Sequence, residues 1–208
     1  MRPSLPLPVW NLAALLAAAV LVPSRGSAGD FETLETRAET VPDLAAFLDA
    51  HVGRCPAGPA KAACEAAAAR ARKAAAGKLF AVRIPEAAGL VRLERRAGDA
   101  FLVLLTPFID GGSGIGLSHG APLRLDPDGN PVMPLVGIPG EIAPGQTDLD
   151  VASPFRRGQV ELAVVFEVRA PWKLARKGAP GTEGLTARFR AVRVVDGRTG
   201  ALIAEKEL

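Results

Sequence analysis

The sequence predicts an α+β or mainly β domain, in which an N-terminal helical hairpin packs on an antiparallel β-sandwich or barrel of seven to nine strands. Three observations predict it. Apolar residues recur at helical spacing as far as residue 78 and alternate from Leu79 onward. No helical pattern then separates the later segments, so nothing is available to cross between parallel neighbours. Both cysteines of the chain fall in one stretch, CPAGPAKAAC, where the two predicted helices meet.

Residues 1–28 read as an export signal. Arg2 supplies the positive start, NLAALLAAAVLV the apolar core, and GSA at 26–28 the small residues before a cut after Ala28. About a dozen apolar residues fall short of the roughly 20 that span a bilayer, and no cysteine follows closely enough to be acylated. The mature chain is therefore expected outside the cytoplasm, periplasmic or secreted. Residues 29–78 form the helical part and 79–208 the β part, expected as one structural unit.

The formal net charge of +3 belongs largely to the signal: Arg2 and Arg25 leave with it and no acid does. What remains is nearly neutral. There is no tyrosine, and Trp172 is the sole tryptophan after residue 28. A nucleic-acid binder needs a dense basic face and aromatic platforms, so nucleic acid is not expected as a partner. Aromatic girdles for an outer-membrane barrel are missing as well. Abundant alanine, arginine, glycine and proline suggest a high-GC bacterial genome.

In TVPDLAAFLDAHVG, Thr40 is the expected helix cap, Pro42 sits in the first turn and Asp43 at the capping-box position. Leu44, Phe47, Leu48 and Val52 then share one face. A second helix is expected from about Ala60 to Ala76, with basic residues in its last turns and Gly77 as its stop. An even cysteine count after an export signal favours a Cys55–Cys64 disulfide clasping this hairpin. Closing so short a loop stabilises by about 3 kcal/mol on the chain-entropy view. A metal site on His51, Cys55 and Cys64 would lack a fourth ligand and the close cysteine pairs of structural zinc. The redox spacing CxxC is absent too. No metal and no cofactor are expected.

Strands follow. LFAVRI turns Phe80, Val82 and Ile84 one way; LVRLERR and FLVLLTPFI form a hairpin across AGDA; LRLDPDGNPVM forms another around DPDGN. In QVELAVVFEV the residues Val160, Leu162, Val164, Phe166 and Val168 point to one face and Glu161 and Glu167 to the other, the pattern of a sheet with one wet face. LTARFRAVRVV pairs through DGRTG with ALIAEKEL, and a switch of apolar face between Phe189 and Val192 signals a bulge. Residues 110–121 and 134–158 read as long irregular loops, which places any functional site there.

GGSGIGLSHG, residues 111–120, is the stretch most like an active site. It lacks the lysine and following helix of a phosphate loop, misses the dinucleotide spacing, and fails the nucleophile elbow by one position, because Ile115 stands where a glycine is needed. A hydrolytic dyad would take His119 as general base, Ser113 or Ser118 as nucleophile and Asp110 to orient the imidazole. DPDGN imitates a calcium loop but has Pro131 and Gly137 at the diagnostic sixth and twelfth positions, so it reads as a turn. Glu141, Asp148 and Asp150 could add oxygen ligands without any spacing that requires it. In RAPWKLARKG, Arg169, Lys173, Arg176 and Lys177 surround Trp172, a group suited to an anionic membrane surface or to capping a sheet edge with solvated charge.

FRRGQVELAVVFEVRAPWKL and VVDGRTGALIAEKEL resemble the C-terminal part of small exported proteins of unknown function from myxobacteria and similar high-GC bacteria. The resemblance covers the last third of the chain and its general layout, and it implies no activity. The expected function is a non-catalytic binding or interaction module of the bacterial envelope, with an unknown envelope protein or ligand as partner. The rivals are a hydrolase using the 110–120 loop and a purely structural envelope component. An enzyme should bring Asp110, Ser118 and His119 together in a pocket, whereas a binding module should offer an apolar patch or an open sheet edge.

Overall fold

The computed structural model of the chain describes residues 29–112, 114–122, 124–128, 130–176 and 179–208; the export signal read from residues 1–28 lies outside them. The order is α1 (Gly29–Arg37), β1 (Glu39–Thr40), α2 (Leu44–Val52), α3 (Lys61–Ala75), β2 (Leu79–Ile84), β3 (Val91–Arg95), β4 (Ala100–Leu105), β5 (Phe108–Asp110), β6 (Ile115–His119), β7 (Arg124–Leu125), β8 (Pro131–Val132), β9 (Val136–Glu141), α4 (Asp148–Arg156), β10 (Val160–Arg176), β11 (Ala179–Asp196) and β12 (Leu202–Glu207). The α+β character follows directly.

Two long strands, β10 and β11, pair antiparallel from Val160↔Asp196 to Arg176↔Ala179. They anchor a seven-stranded sheet in the order β1-β2-β10-β11-β6-β5, with β12 also on β11. β11 serves two partners along one edge: β6 meets its residues 183–187 and β12 its residues 191–195. A second sheet has the order β3-β4-β9, and β7 and β8 form a ribbon. The sheets approach where Lys206 Nζ donates to the Gly137 carbonyl of β9 at 2.9 Å.

The architecture departs from the expected antiparallel sandwich or barrel of seven to nine strands in three ways. It is not a closed barrel. Two pairings, β1 with β2 and β6 with β11, are parallel; the helices α2 and α3 carry the chain from β1 to β2, and β7 to β10 with α4 lie between β6 and β11. Among the described residues there are twelve strands: Pro107 splits FLVLLTPFI into β4 and β5, β1 is too short to show a period, and glycines hide the alternation of β6 and β9.

Alternation on β10 carries through as a buried face. Val160, Leu162, Val164, Phe166 and Val168 enter one large cluster with Phe80, Phe101, Val103, Ile138, Leu185 and Leu48 of α2. The opposite face is not simply wet. There α1 lays Phe31 over Ala81, Ala163, Val165 and Ala191, and the Arg193 guanidinium stands 4.4 Å from the Phe31 ring. Glu161 and Glu167 stay at the margins, paired with Arg83 at 3.2 Å and Arg169 at 2.7 Å. The bulge falls where the face switches: Phe166 pairs with Phe189 and Val165 with Ala191, leaving Arg190 as the extra residue.

The helices also refine the sequence reading. Asp43, not Thr40, caps α2, its carboxylate accepting the Ala46 N–H at 3.0 Å; Thr40 is held in β1 beside Ala81. Cys55 and Cys64 are joined by a disulfide across a Cα separation of 5.6 Å, tying α2 to α3. In the segment 134–158, read as a loop, β9 and α4 are both formed. Thr147 and Asp150 cap α4 reciprocally, with the Asp150 N–H on the threonine hydroxyl at 3.4 Å and the Thr147 N–H on the Asp150 carboxylate at 2.7 Å.

Phe166 is fully buried and packs edge-on to Phe47 at 5.8 Å between ring centres. Phe166→Ala is expected to lower unfolding stability by about 3–5 kcal/mol, read from urea midpoints; a loss below about 1 kcal/mol would show that the surrounding cluster collapses into the gap.

Candidate functional site

The glycine-rich stretch is a turn feeding a buried strand. The Asp110 carboxylate accepts the Gly112 N–H at 2.9 Å and the Gly111 N–H bonds the Ile115 carbonyl at 2.9 Å, which closes the turn; Ser113 lies outside the described residues. Along β6 the alternation then separates the candidates. Ile115 and Leu117 enter the main cluster, and His119 follows them, its ring centre 5.0 Å from that of Phe189. Gly116 and Ser118 face the other way.

Each polar group is already engaged. Ser118 is 0% exposed; its hydroxyl donates to the Gly120 carbonyl and accepts from the Trp172 indole N–H, both at 2.8 Å. His119 Nδ1 accepts the Phe189 backbone N–H at 3.0 Å. Burial, with the Arg188 charge adding to it, holds this imidazole below its ordinary value. Asp110, at the end of β5, pairs with Gly116 of β6, three residues along the strand from the histidine. The structure does not bring Asp110, Ser118 and His119 together as nucleophile, base and orienting acid.

What the glycines build instead is an aromatic shelf. A Cβ on Gly116 would lie 2.1 Å from the Phe108 ring, and one on Gly184 would lie 2.3 Å from the Gly116 carbonyl oxygen and 2.5 Å from the Trp172 ring. Only glycine admits these approaches. Phe108 and Trp172 thus lie side by side over β6 and β11, their ring centres 6.1 Å apart. The cations flanking Trp172 are partnered: Arg169 with Glu167 at 2.7 Å, Lys173 with Glu183 at 3.4 Å. Burial opposes the charge on Glu183, but hydrogen bonds from Arg54 and Lys173 outweigh it and hold the carboxyl below its usual range. Arg176 ends β10 opposite Ala179, and Lys177 lies outside the described residues.

The remaining ligand candidates have structural roles. His51 Nδ1 donates to the Phe47 carbonyl at 2.7 Å and its ring stacks on Phe47 at 4.1 Å. Asp126 accepts the Asn130 N–H at 2.7 Å within the DPDGN turn. Asp148 pairs with Arg95, and Asp150 caps α4. Among the described residues no group of three or more His, Cys, Asp or Glu side chains could hold a metal ion.

An open edge lies elsewhere, on β3. The Thr106 N–H bonds the Leu90 carbonyl and the Arg96 N–H the Ala100 carbonyl, so in the β3–β4 register Arg92 and Glu94 exchange hydrogen bonds with β4. The N–H and C=O groups of Val91, Leu93 and Arg95 must point the opposite way, and β3 ends its sheet. Beside that edge runs α4. Together they bound a groove of about 590 Å³ lined by Leu93, Leu149, Ala152 and Phe155, with Arg92 and Arg156 at its margins. Leu149 is 64% exposed. The sequence hid this site because α4 sits in a segment rich in Pro and Gly; TDLD, with an aspartate at the third helical position, was its one local signal.

Residues 10–205 match a family of unknown function, DUF6066. The chain belongs to this family. No curated protein and no solved structure matches it. Membership extends the likeness to uncharacterised proteins from the last third to nearly the whole chain, and DUF6066 brings no activity to any residue.

Two outcomes test the site of this DUF6066 chain. Gly184→Ala is expected to destabilise by about 3 kcal/mol, because the obstacle is backbone as well as ring, and to shift the Trp172 emission; an unchanged urea midpoint would show that β6 and β11 can part freely. For His119 the folded value lies below that of the unfolded chain, near pH 6.5. Its contribution to stability is then present above about pH 6.5 and lost as pH falls through the folded value. Between pH 7 and 5, His119→Gln is expected to lose less stability than wild type; equal losses would remove the histidine from the pH response.

Proposed function

We propose that the protein is exported and serves in the bacterial envelope as a non-catalytic interaction module, docking an extended segment of a partner along β3. The open edge beside α4 carries this reading. Three outward N–H and three outward C=O groups, on Val91, Leu93 and Arg95, form a template for strand addition, and the adjacent groove offers apolar surface to alternate side chains of an incoming strand. Among the other strands with one free edge, β1 has two residues and β5 three, against five in β3, while the six-residue β9 and β12 lie against each other, with Lys206 Nζ donating to the Gly137 carbonyl at 2.9 Å.

Export is supported by the leader pattern and by the disulfide, which persists in an oxidising compartment; no helix among the described residues is long and apolar enough to cross a membrane. The hydrolase reading is the weaker one, since the Ser118 hydroxyl is enclosed and the His119 ring faces the other side of the sheet. A membrane surface is likewise the weaker partner, because Trp172 commits its indole N–H to Ser118.

Hydrogen exchange of the protein purified alone and of the protein in its envelope fraction is the direct comparison. The Val91, Leu93 and Arg95 amides are expected to exchange fast alone and to be protected in the fraction; identical rates would retire the docking edge. A fluorophosphonate probe is expected to leave Ser118 unlabelled, and labelling there would restore the hydrolase.

A further inference from the structure

We infer that the segment accepted by β3 is acidic: an extended polypeptide with carboxylates at alternate positions and apolar residues between them. The inference rests on the docking edge proposed above and adds the chemistry of its occupant. Along an added strand, successive side chains point to opposite faces about 3.4 Å apart. One set meets the apolar wall of Leu93, Ala152 and Phe155. The other set meets the margins, and these are basic.

Four guanidiniums, Arg92, Arg95, Arg96 and Arg156, surround the edge against two carboxylates, Glu94 and Asp148. Arg92 and Arg96 share the single Glu94 carboxylate, at 3.2 Å and 3.6 Å, and their side chains are more than half exposed. Exposed pairs of this kind contribute little and exchange readily. A carboxylate brought in by a docked strand would meet a planar donor fork in a groove that the strand itself has dried, where charge-assisted hydrogen bonds are strongest. A lysine-bearing strand would bring more cations to an edge already in cationic excess. The groove thus selects by charge while the backbone supplies the register.

The test uses the exported protein and three synthetic heptapeptides, alternating valine with aspartate, with lysine or with glutamine, followed by fluorescence anisotropy and by exchange of the Val91, Leu93 and Arg95 amides. The aspartate peptide is expected to bind at least tenfold tighter than the lysine peptide and to slow all three amides. Its affinity should fall as salt rises from 50 to 300 mM, because exposed charges are screened over that range. The double variant Arg92→Glu with Arg156→Glu should weaken it at least tenfold, with the circular dichroism spectrum unchanged, whereas Arg70→Glu on α3 should leave it as in wild type. Equal protection by all three peptides would overturn the acidic selection and leave the docking edge standing. Protection by none would overturn both. Protection that grows with protein concentration and without peptide would make a second copy the occupant, which also overturns the acidic segment.

Discussion

The fold turns on one extra residue, Arg190. In a regular strand Leu185, Ala187 and Phe189 would share a face with residues 191 and 193, and Val192 and Val194 would be turned toward α1. The bulge resets the phase, so that Phe189 and Val192 both reach the main cluster while Ala191 slips beneath Phe31. It is also the place where β11 changes partners. Below it β6 pairs with residues 183–187 and above it β12 pairs with 191–195. The backbone groups at the hand-over are taken up individually: the Phe189 N–H by the His119 imidazole, the Arg190 carbonyl by the Leu208 N–H at 2.8 Å. The histidine that resembled a general base thus completes the hydrogen bonding of a sheet whose long strand has two short neighbours on one edge.

That arrangement explains which parts of the fold were legible in the sequence. Alternation on β10 and the phase switch near Arg190 are properties of a strand whose faces differ, and both were readable. The disulfide was readable from two cysteines, an even count, after a segment that reads as an export signal. Parallel pairing was not: β1 has only two residues, too few to read as the strand that enters the α2–α3 crossover to β2, and β6 meets β11 only after β7 to β10 and α4 have intervened. α1 escaped because GDFETLETR exposes its polar residues and buries little beyond Phe31. α4 escaped because Pro154 stands inside it and a glycine-rich stretch precedes it. Neither element shows a strong apolar period, and packing decides both.

The glycine-rich stretch reads differently in the structure for a related reason. Glycines concentrated at 111–116 suggest a cradle for a ligand, but Gly116 and Gly184 make room for the chain's own rings, Phe108 and Trp172. Close backbone approach and ligand approach make the same demand on a residue, the absence of Cβ, and a sequence does not distinguish them. The buried Ser118 shows which one holds: its hydroxyl bridges an indole and a carbonyl on the inner side of the shelf.

The basic rim of β3 admits two physical roles that make different demands. Charges that guard a sheet edge against aggregation work best when the edge is short, twisted away or covered. Here the edge keeps three consecutive outward hydrogen-bonding positions, and α4 stands beside the strand, leaving a groove with Leu149 exposed at its lip. A guard would leave no apolar wall, because such a wall attracts the strands that the charge is meant to repel. Apolar wall and basic rim together suit the proposed docking of one class of strand better than they suit a guard. On the proposed reading, selectivity built on repulsion as much as attraction would let this edge discriminate among strands without a large interface.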